Sequence, residues 1–106
     1  MHERLLILKD LKHNLQKQFP GSVKNVILFG SQAKDNANEN SDYDILIVMS
    51  RDYSGKDENQ ILDICYDMNL KYDIIIDAHI ISIGELSTLR GKQPIFVTAL
   101  NSGIYA

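Results

Sequence analysis

The sequence predicts an α/β fold of the α+β kind, in which a small mixed sheet is flanked by helices. Apolar residues recur at helical spacing in two segments, and three short runs of aliphatic residues have the character of strands. Helices and strands that alternate in this way pack in layers around one sheet. With 106 residues and 44% apolar content, the chain can bury one modest core, so we expect a single domain over 1–106.

The first helix and the first strand follow directly from the apolar pattern. Over residues 4–19 the apolar side chains fall at three-to-four spacing, which is the stripe of an amphipathic helix, and Pro20-Gly21 ends it. The run Val26–Phe29 then predicts a buried strand that stops at Gly30-Ser31. Polar residues that favour turns predict a loop over 34–41.

A second strand, a second helix and a third strand follow the loop. The second strand is predicted over Tyr43–Met49, and its alternation, extended back by one residue, places Asp42 and Asp44 on one face. Apolar residues at helical spacing predict a helix over Asp57–Leu70. The third strand is expected from Tyr72 to about Ile81.

Capping and turn residues define the C-terminal elements. Ser82 and Glu85 have the spacing of a capping box, which predicts a short helix that ends near Leu89. Proline suits the first turn of a helix, so a further helix is predicted over Pro94–Leu100. Ile104-Tyr105 is expected to add a short edge strand.

Charge and composition disfavour several classes of partner. The formal net charge of -3 provides no basic stripe for a phosphate backbone, so nucleic acid is not expected as a direct partner. The longest apolar runs are far shorter than a membrane span, so no membrane association is expected. Cys65 is the only cysteine, which excludes an intrachain disulfide and fits a cytoplasmic protein.

Two acidic residues at the head of the second strand are the first candidates for chemistry. Asp42 and Asp44 lie roughly 6 to 7 Å apart along that strand. Neighbouring carboxylates repel unless a cation lies between them, and a hard divalent ion is the natural choice. The alternative is an exposed Asp-x-Asp pair at a strand start with no functional role. The apolar residues Ile45–Val48 that follow disfavour it, because a buried strand should not begin with two acids that have no function.

The Gly30-Ser31 pair is the second candidate. At the end of a buried strand, a residue without a side chain lets backbone amides approach a phosphate, and a hydroxyl can donate to it. A glycine-serine pair in this position is more often a simple turn. The pair therefore gains significance only from the acids that follow it.

Taken together, Gly30-Ser31, a ten-residue spacer and Asp42-x-Asp44 resemble the signature of the DNA polymerase beta-like nucleotidyltransferase superfamily. The flanking residues 27–29 and 45–47 are similar to those of its minimal bacterial members, and the resemblance covers essentially the whole chain in length and element order. It implies the polymerase beta-like nucleotidyltransferase fold. It also implies two Mg²⁺ ions held by the aspartates, ATP as the nucleotide donor, and Gly30 and Ser31 as holders of the outgoing phosphates.

The family uses a third carboxylate on a neighbouring strand, and here two aspartates are candidates. Asp73 and Asp77 share one face of the predicted third strand. In the minimal relatives the third acid opens its strand close to the preceding helix, which favours Asp73 as the third catalytic and metal-binding residue. His79 shares the same face but is interpreted as a surface or satisfied residue.

The resemblance further implies a biological role. Minimal nucleotidyltransferases of this kind are commonly antitoxins that transfer AMP from ATP to a tyrosine hydroxyl of a partner HEPN toxin. The runner-up is a binding module that keeps the fold with weak or no catalysis and neutralises its partner by contact. Adenylyl transfer to a small molecule is a third possibility, although 106 residues leave little room for a second substrate pocket.

Overall fold

The computed structural model describes residues 2–33, 42–88 and 90–106. The predicted loop at 34–41 and Leu89, the predicted end of a short helix, lie outside these residues. The helices and strands, in chain order, are α1 His2–Gln18, β1 Val23–Phe29, a 3₁₀ turn Gly30–Ala33, β2 Tyr43–Met49, α2 Gly55–Tyr72, β3 Ile76–Ser82, α3 Ile83–Leu86, α4 Pro94–Ser102 and β4 Ile104–Tyr105.

The four strands form one mixed sheet in the order β3-β2-β1-β4. Strand β1 pairs antiparallel with β2 and with β4, whereas β2 and β3 run parallel. The register places Phe29 beside Asp44 and Asp44 beside Asp77, so these three residues form one row across the sheet. The predicted mixed sheet flanked by helices is confirmed.

Each face of the sheet carries its own apolar cluster. Helices α1 and α2 cover one face, where residues such as Leu11, Ile47 and Cys65 are buried. Helix α4 covers part of the other face through Phe96 and Ala99. The alternation along β2 predicted this division, because odd-numbered and even-numbered residues of that strand enter different clusters.

The junction between α2 and β3 differs from the sequence prediction. Helix α2 continues to Tyr72, and Asp73 caps it in the left-handed conformation, with φ of 54°. The Asn69 carbonyl accepts hydrogen bonds from the Asp73 and Ile74 amides, and the Asn69 side chain accepts one from the Ile76 amide. These contacts use the backbone groups that an earlier strand would need, so β3 begins at Ile76 and the predicted start at Tyr72 is wrong.

Helices α1 and α2 and strand β1 each begin two or three residues earlier than predicted. Helix α2 starts at Gly55, because Ser54 and Asp57 form a reciprocal capping box that extends the helix beyond its apolar stripe. Strand β1 starts at Val23, where it pairs with the end of β2 across an irregularity in register. None of the described helices is long and apolar enough to cross a membrane.

Two glycines provide a matched test of the packing between α4 and the sheet. A Cβ atom at Gly103 would lie 2.5 Å from the Ala99 carbonyl oxygen and collide with Ile27, whereas a Cβ atom at Gly55 would meet nothing. We expect Gly103→Ala to lower the free energy of unfolding by about 1–3 kcal/mol, the usual cost of overpacking. Gly55→Ala should be neutral or slightly stabilising. Urea denaturation of both variants measures the difference, and equal stabilities would contradict this packing.

Candidate metal and nucleotide site

The candidate site is built on the row that joins β1, β2 and β3. Asp44 is half-buried in the central strand, and Asp77 lies beside it on the outer strand with its side chain 55% exposed. Two rows further along the strands, His79 lies beside Leu46. Neighbouring residues in a register row point to the same face of the sheet, and so do alternate residues of one strand. The two carboxylates and the imidazole therefore lie together on one face.

One donor atom from each of Asp44, Asp77 and His79 lies within 4.8 Å of the other two. The Nε2 atom of His79 is 3.5 Å from Oδ2 of Asp77, and the imidazole packs against Phe29 with ring centroids 5.7 Å apart. Carboxylate oxygens and an imidazole nitrogen at this spacing can coordinate one divalent cation.

The environment of Asp44 disfavours an uncompensated charge. Burial raises the pKa of the Asp44 carboxyl above its ordinary value, and the negative charges of Asp77 and Asp42 raise it further, while His79 opposes them. A cation bound between these carboxylates would offset both the desolvation and the repulsion. The donor set and its electrostatics therefore fit a divalent metal ion.

Gly30 is placed directly against Asp44. It adopts a φ of 73°, and a Cβ atom there would overlap Oδ2 of Asp44 and lie 3.1 Å from its Cγ. The 3₁₀ turn that Gly30 opens is tied to α1 by a hydrogen bond from the Arg4 guanidinium to the Gln32 carbonyl. Ser31, the next residue of the turn, is exposed.

The remaining predicted acids take different positions. Asp42 is exposed just before β2, close enough to raise the pKa of Asp44. Asp73 caps α2 before β3 begins and does not belong to the group of donor atoms formed by Asp44, Asp77 and His79. The preference for Asp73 depended on a strand that began at Tyr72. With β3 starting at Ile76, the residue level with Asp44 is Asp77.

The sequence interpretation did not include His79 in the site. Its two-residue spacing from Asp77 was visible and indicated a shared face of the strand. What the sequence did not contain was the cross-strand register that brings Asp44 to the same place.

The raised pKa of Asp44 predicts a stability effect with a defined pH dependence. Between its ordinary value of 3.8 and its folded value, the folded chain holds more protons than the unfolded chain, so the contribution of Asp44 to stability falls as pH rises. Without metal, Asp44→Asn should therefore raise the Tm by a few degrees at pH 7, and this gain should shrink as pH is lowered toward 4. Asp63→Asn, on an exposed part of α2, is the control and should show no such gain.

The change in Tm on addition of Mg²⁺, measured in the same melting experiments, tests whether Asp44 binds a cation. A cation held by Asp44 should raise the Tm of the native protein and not that of Asp44→Asn, because only the native protein offers the site. Equal Mg²⁺ shifts in both proteins would argue against this location.

Known proteins share both the fold and the sequence pattern. The model of the nucleotidyltransferase domain family matches residues 8–101. The chain is 37% identical over 71 residues to "Putative protein adenylyltransferase MJ0604" of Methanocaldococcus jannaschii, covering 67% of this chain and 66% of that protein. It is 35% identical over 74 residues to "Putative protein adenylyltransferase MJ0141" of the same organism, covering 70% and 75%. The chain thus spans slightly under two thirds of the first relative.

Solved structures resemble the chain in fold at low sequence identity. A toxin-antitoxin crystal structure with AMP-PNP matches with a TM-score of 0.56 and 16% identity, covering 91% of this chain and 69% of that chain. The MntA-HepT toxin-antitoxin structure matches with a TM-score of 0.52 and 15% identity, covering 95% and 69%. With the family match extending over most of the sequence, the chain belongs to the nucleotidyltransferase domain family, as the Gly30-Ser31 turn and the Asp42-x-Asp44 pair predicted.

Proposed function

We propose that this chain is a metal-dependent nucleotidyltransferase that transfers AMP from ATP to a hydroxyl group of a partner protein. The observation that carries the proposal is the placement of Asp44 beside Asp77, with Gly30 packed against Asp44. Family membership supports the reaction class. The names of the Methanocaldococcus relatives, which describe protein adenylyltransferases, support a protein acceptor.

The acids form the proposed metal site. Asp42, Asp44 and Asp77 would hold Mg²⁺, and we propose two ions, the number that the resemblance to the polymerase beta-like nucleotidyltransferases implies. When bound, Mg²⁺ supplies positive charge to the triphosphate and to the acceptor oxygen. We propose Asp77 as the third acid in place of Asp73, which the family resemblance had favoured, because Asp77 lies level with Asp44 in the register.

The residues of the chain would position the ATP phosphates and the acceptor hydroxyl. The Gly30 amide and the exposed Ser31 hydroxyl would hold the outgoing phosphates beside Asp44. Asp77, on the outer strand, would orient the acceptor hydroxyl for in-line attack on the α-phosphorus. The new bond joins the acceptor oxygen to AMP, the bond to the β-phosphate breaks, and pyrophosphate leaves.

We further propose that the acceptor is a tyrosine of a HEPN-type toxin and that the chain acts as its antitoxin in the cytoplasm. The similar solved structures are of toxin-antitoxin systems, one of them with AMP-PNP, which supports this role. A phosphodiester-linked AMP adds bulk and negative charge to a tyrosine, and either change would impair binding of RNA by such a partner. The test is intact mass spectrometry of the neighbouring gene product after co-expression. A gain of one AMP supports the proposal, whereas stable binding without added mass would favour a binding module.

A matched pair of substitutions tests the third acid. Asp77→Asn should reduce AMP transfer by at least about a hundredfold, because an acid that positions the acceptor acts mainly in the transition state. Asp73→Asn should stay within a few-fold of the native rate. Partner binding, measured in parallel, should be unchanged in both variants. The reverse ranking of rates would return the role to Asp73.

A second pair tests the phosphate-binding turn. Ser31→Ala should weaken ATP binding by about 1.5–3 kcal/mol, the value of a hydrogen bond to a charged group. Gly30→Ala should be more severe, because its Cβ atom would displace the Asp44 carboxylate and the backbone there has positive φ. Calorimetry with ATP and Mg²⁺ measures both, with Gly55→Ala as the control. Native-like ATP affinity in both variants would place the phosphates elsewhere.

A further inference from the structure

The Nε2 atom of His79 stands out among the buried polar atoms. Among residues 2–33, 42–88 and 90–106, it is a buried side-chain nitrogen that has no hydrogen-bond partner. Its distance of 3.5 Å from Oδ2 of Asp77 is too long for a good hydrogen bond. Buried polar atoms usually have a hydrogen-bond partner. A buried nitrogen without one indicates that a bound ligand or ion interacts with it.

The surroundings of His79 fix where that nitrogen points. Strand β3 presents His79 and Asp77 on the same face, Leu46 lies beside His79 on β2, and the Phe29 ring packs against the imidazole. One ring nitrogen of His79 lies within 4.8 Å of a carboxylate oxygen of both Asp44 and Asp77, and Nε2 is the nitrogen that lies 3.5 Å from Oδ2 of Asp77. The imidazole therefore lies beside both carboxylates.

The chemistry of this donor set differs from that of carboxylates alone. Oxygen-only sites suit Mg²⁺, which accepts nitrogen ligands poorly. A neutral imidazole is a good ligand for first-row transition metals, and Mn²⁺ also accepts carboxylates readily. A site with two carboxylates and one imidazole should thus favour Mn²⁺ over Mg²⁺.

We propose that His79 is a direct metal ligand of this site, completing it with Asp44 and Asp77, and that its nitrogen gives the protein a preference for Mn²⁺ over Mg²⁺. This inference rests on the proposed metal site, but it concerns a ligand that nucleotidyl transfer through the three acids does not require. A purely structural histidine would pack in the same place without bonding to the ion.

Electron spin echo envelope modulation of Mn²⁺ bound to the native protein, without nucleotide, tests the bond directly. A coordinated imidazole produces ¹⁴N modulation, and labelling only the histidines with ¹⁵N should replace it with the ¹⁵N pattern. His79→Gln should abolish the modulation while Mn²⁺ stays bound through the acids. His13→Gln, on an exposed part of α1, is the matched control and should leave the modulation intact.

Calorimetry with MnCl₂ and MgCl₂ measures the preference. The native protein should bind Mn²⁺ at least about tenfold more tightly than Mg²⁺, and His79→Gln should lose most of that ratio while its Mg²⁺ affinity changes by less than about threefold. Mn²⁺ that binds through Asp44 without histidine modulation would overturn this inference and leave the proposed function intact. No metal binding by the native protein, or binding that survives Asp44→Asn unchanged, would overturn both. If His79→Gln fails to fold, modulation that survives both His13→Gln and His2→Gln assigns the bond to His79 by elimination, because the chain has three histidines.

Discussion

The parallel pairing of β2 with β3 is the constraint on which the candidate site depends. It fixes Asp44 beside Asp77, and the same register fixes His79 two rows further along, on the same face. The register is set where α2 ends, because Asp73 turns the chain and Asn69 holds the Ile76 amide. The Tyr43 amide, which donates to the Ile75 carbonyl, then aligns the two strand starts. A short capping turn thus determines which aspartate faces the central strand.

The larger apolar cluster and the candidate site lie on opposite faces of the sheet. One face is covered by α1 and α2 and contains most of the buried aliphatic side chains. The other face carries the smaller cluster under α4, which includes Val48 and Ile81, and the acids occupy the rows beyond it. Partial burial of the Asp44 carboxylate beside Asp77 costs free energy. The larger cluster on the opposite face contributes stability that can offset this cost, and it contains none of the residues of the candidate site.

The sequence was sufficient for the fold but not for the full site. Apolar alternation along β2 predicted the two faces, and the Asp42-x-Asp44 spacing together with the family resemblance predicted the site's location. The sequence could not identify Asp77 as the residue level with Asp44, because Asp73 and Asp77 share one face of an idealised strand and hydrogen bonds donated to Asn69 decide where the real strand begins. His79 was overlooked for a related reason. The environment of its Nε2 atom arises from β2 and β1, which are distant in sequence.

The close approach of Gly30 to Asp44 has a consequence for how this protein can change over generations. The space that a side chain at 30 would need is already filled by the Asp44 carboxylate, so the two positions are not free to vary independently. A lineage that abandoned Asp44 for a smaller residue would relax the steric part of the restriction at 30, while the positive φ there would still favour glycine or asparagine. Substitution of Gly30 would thus be expected to follow substitution of Asp44 and not to precede it.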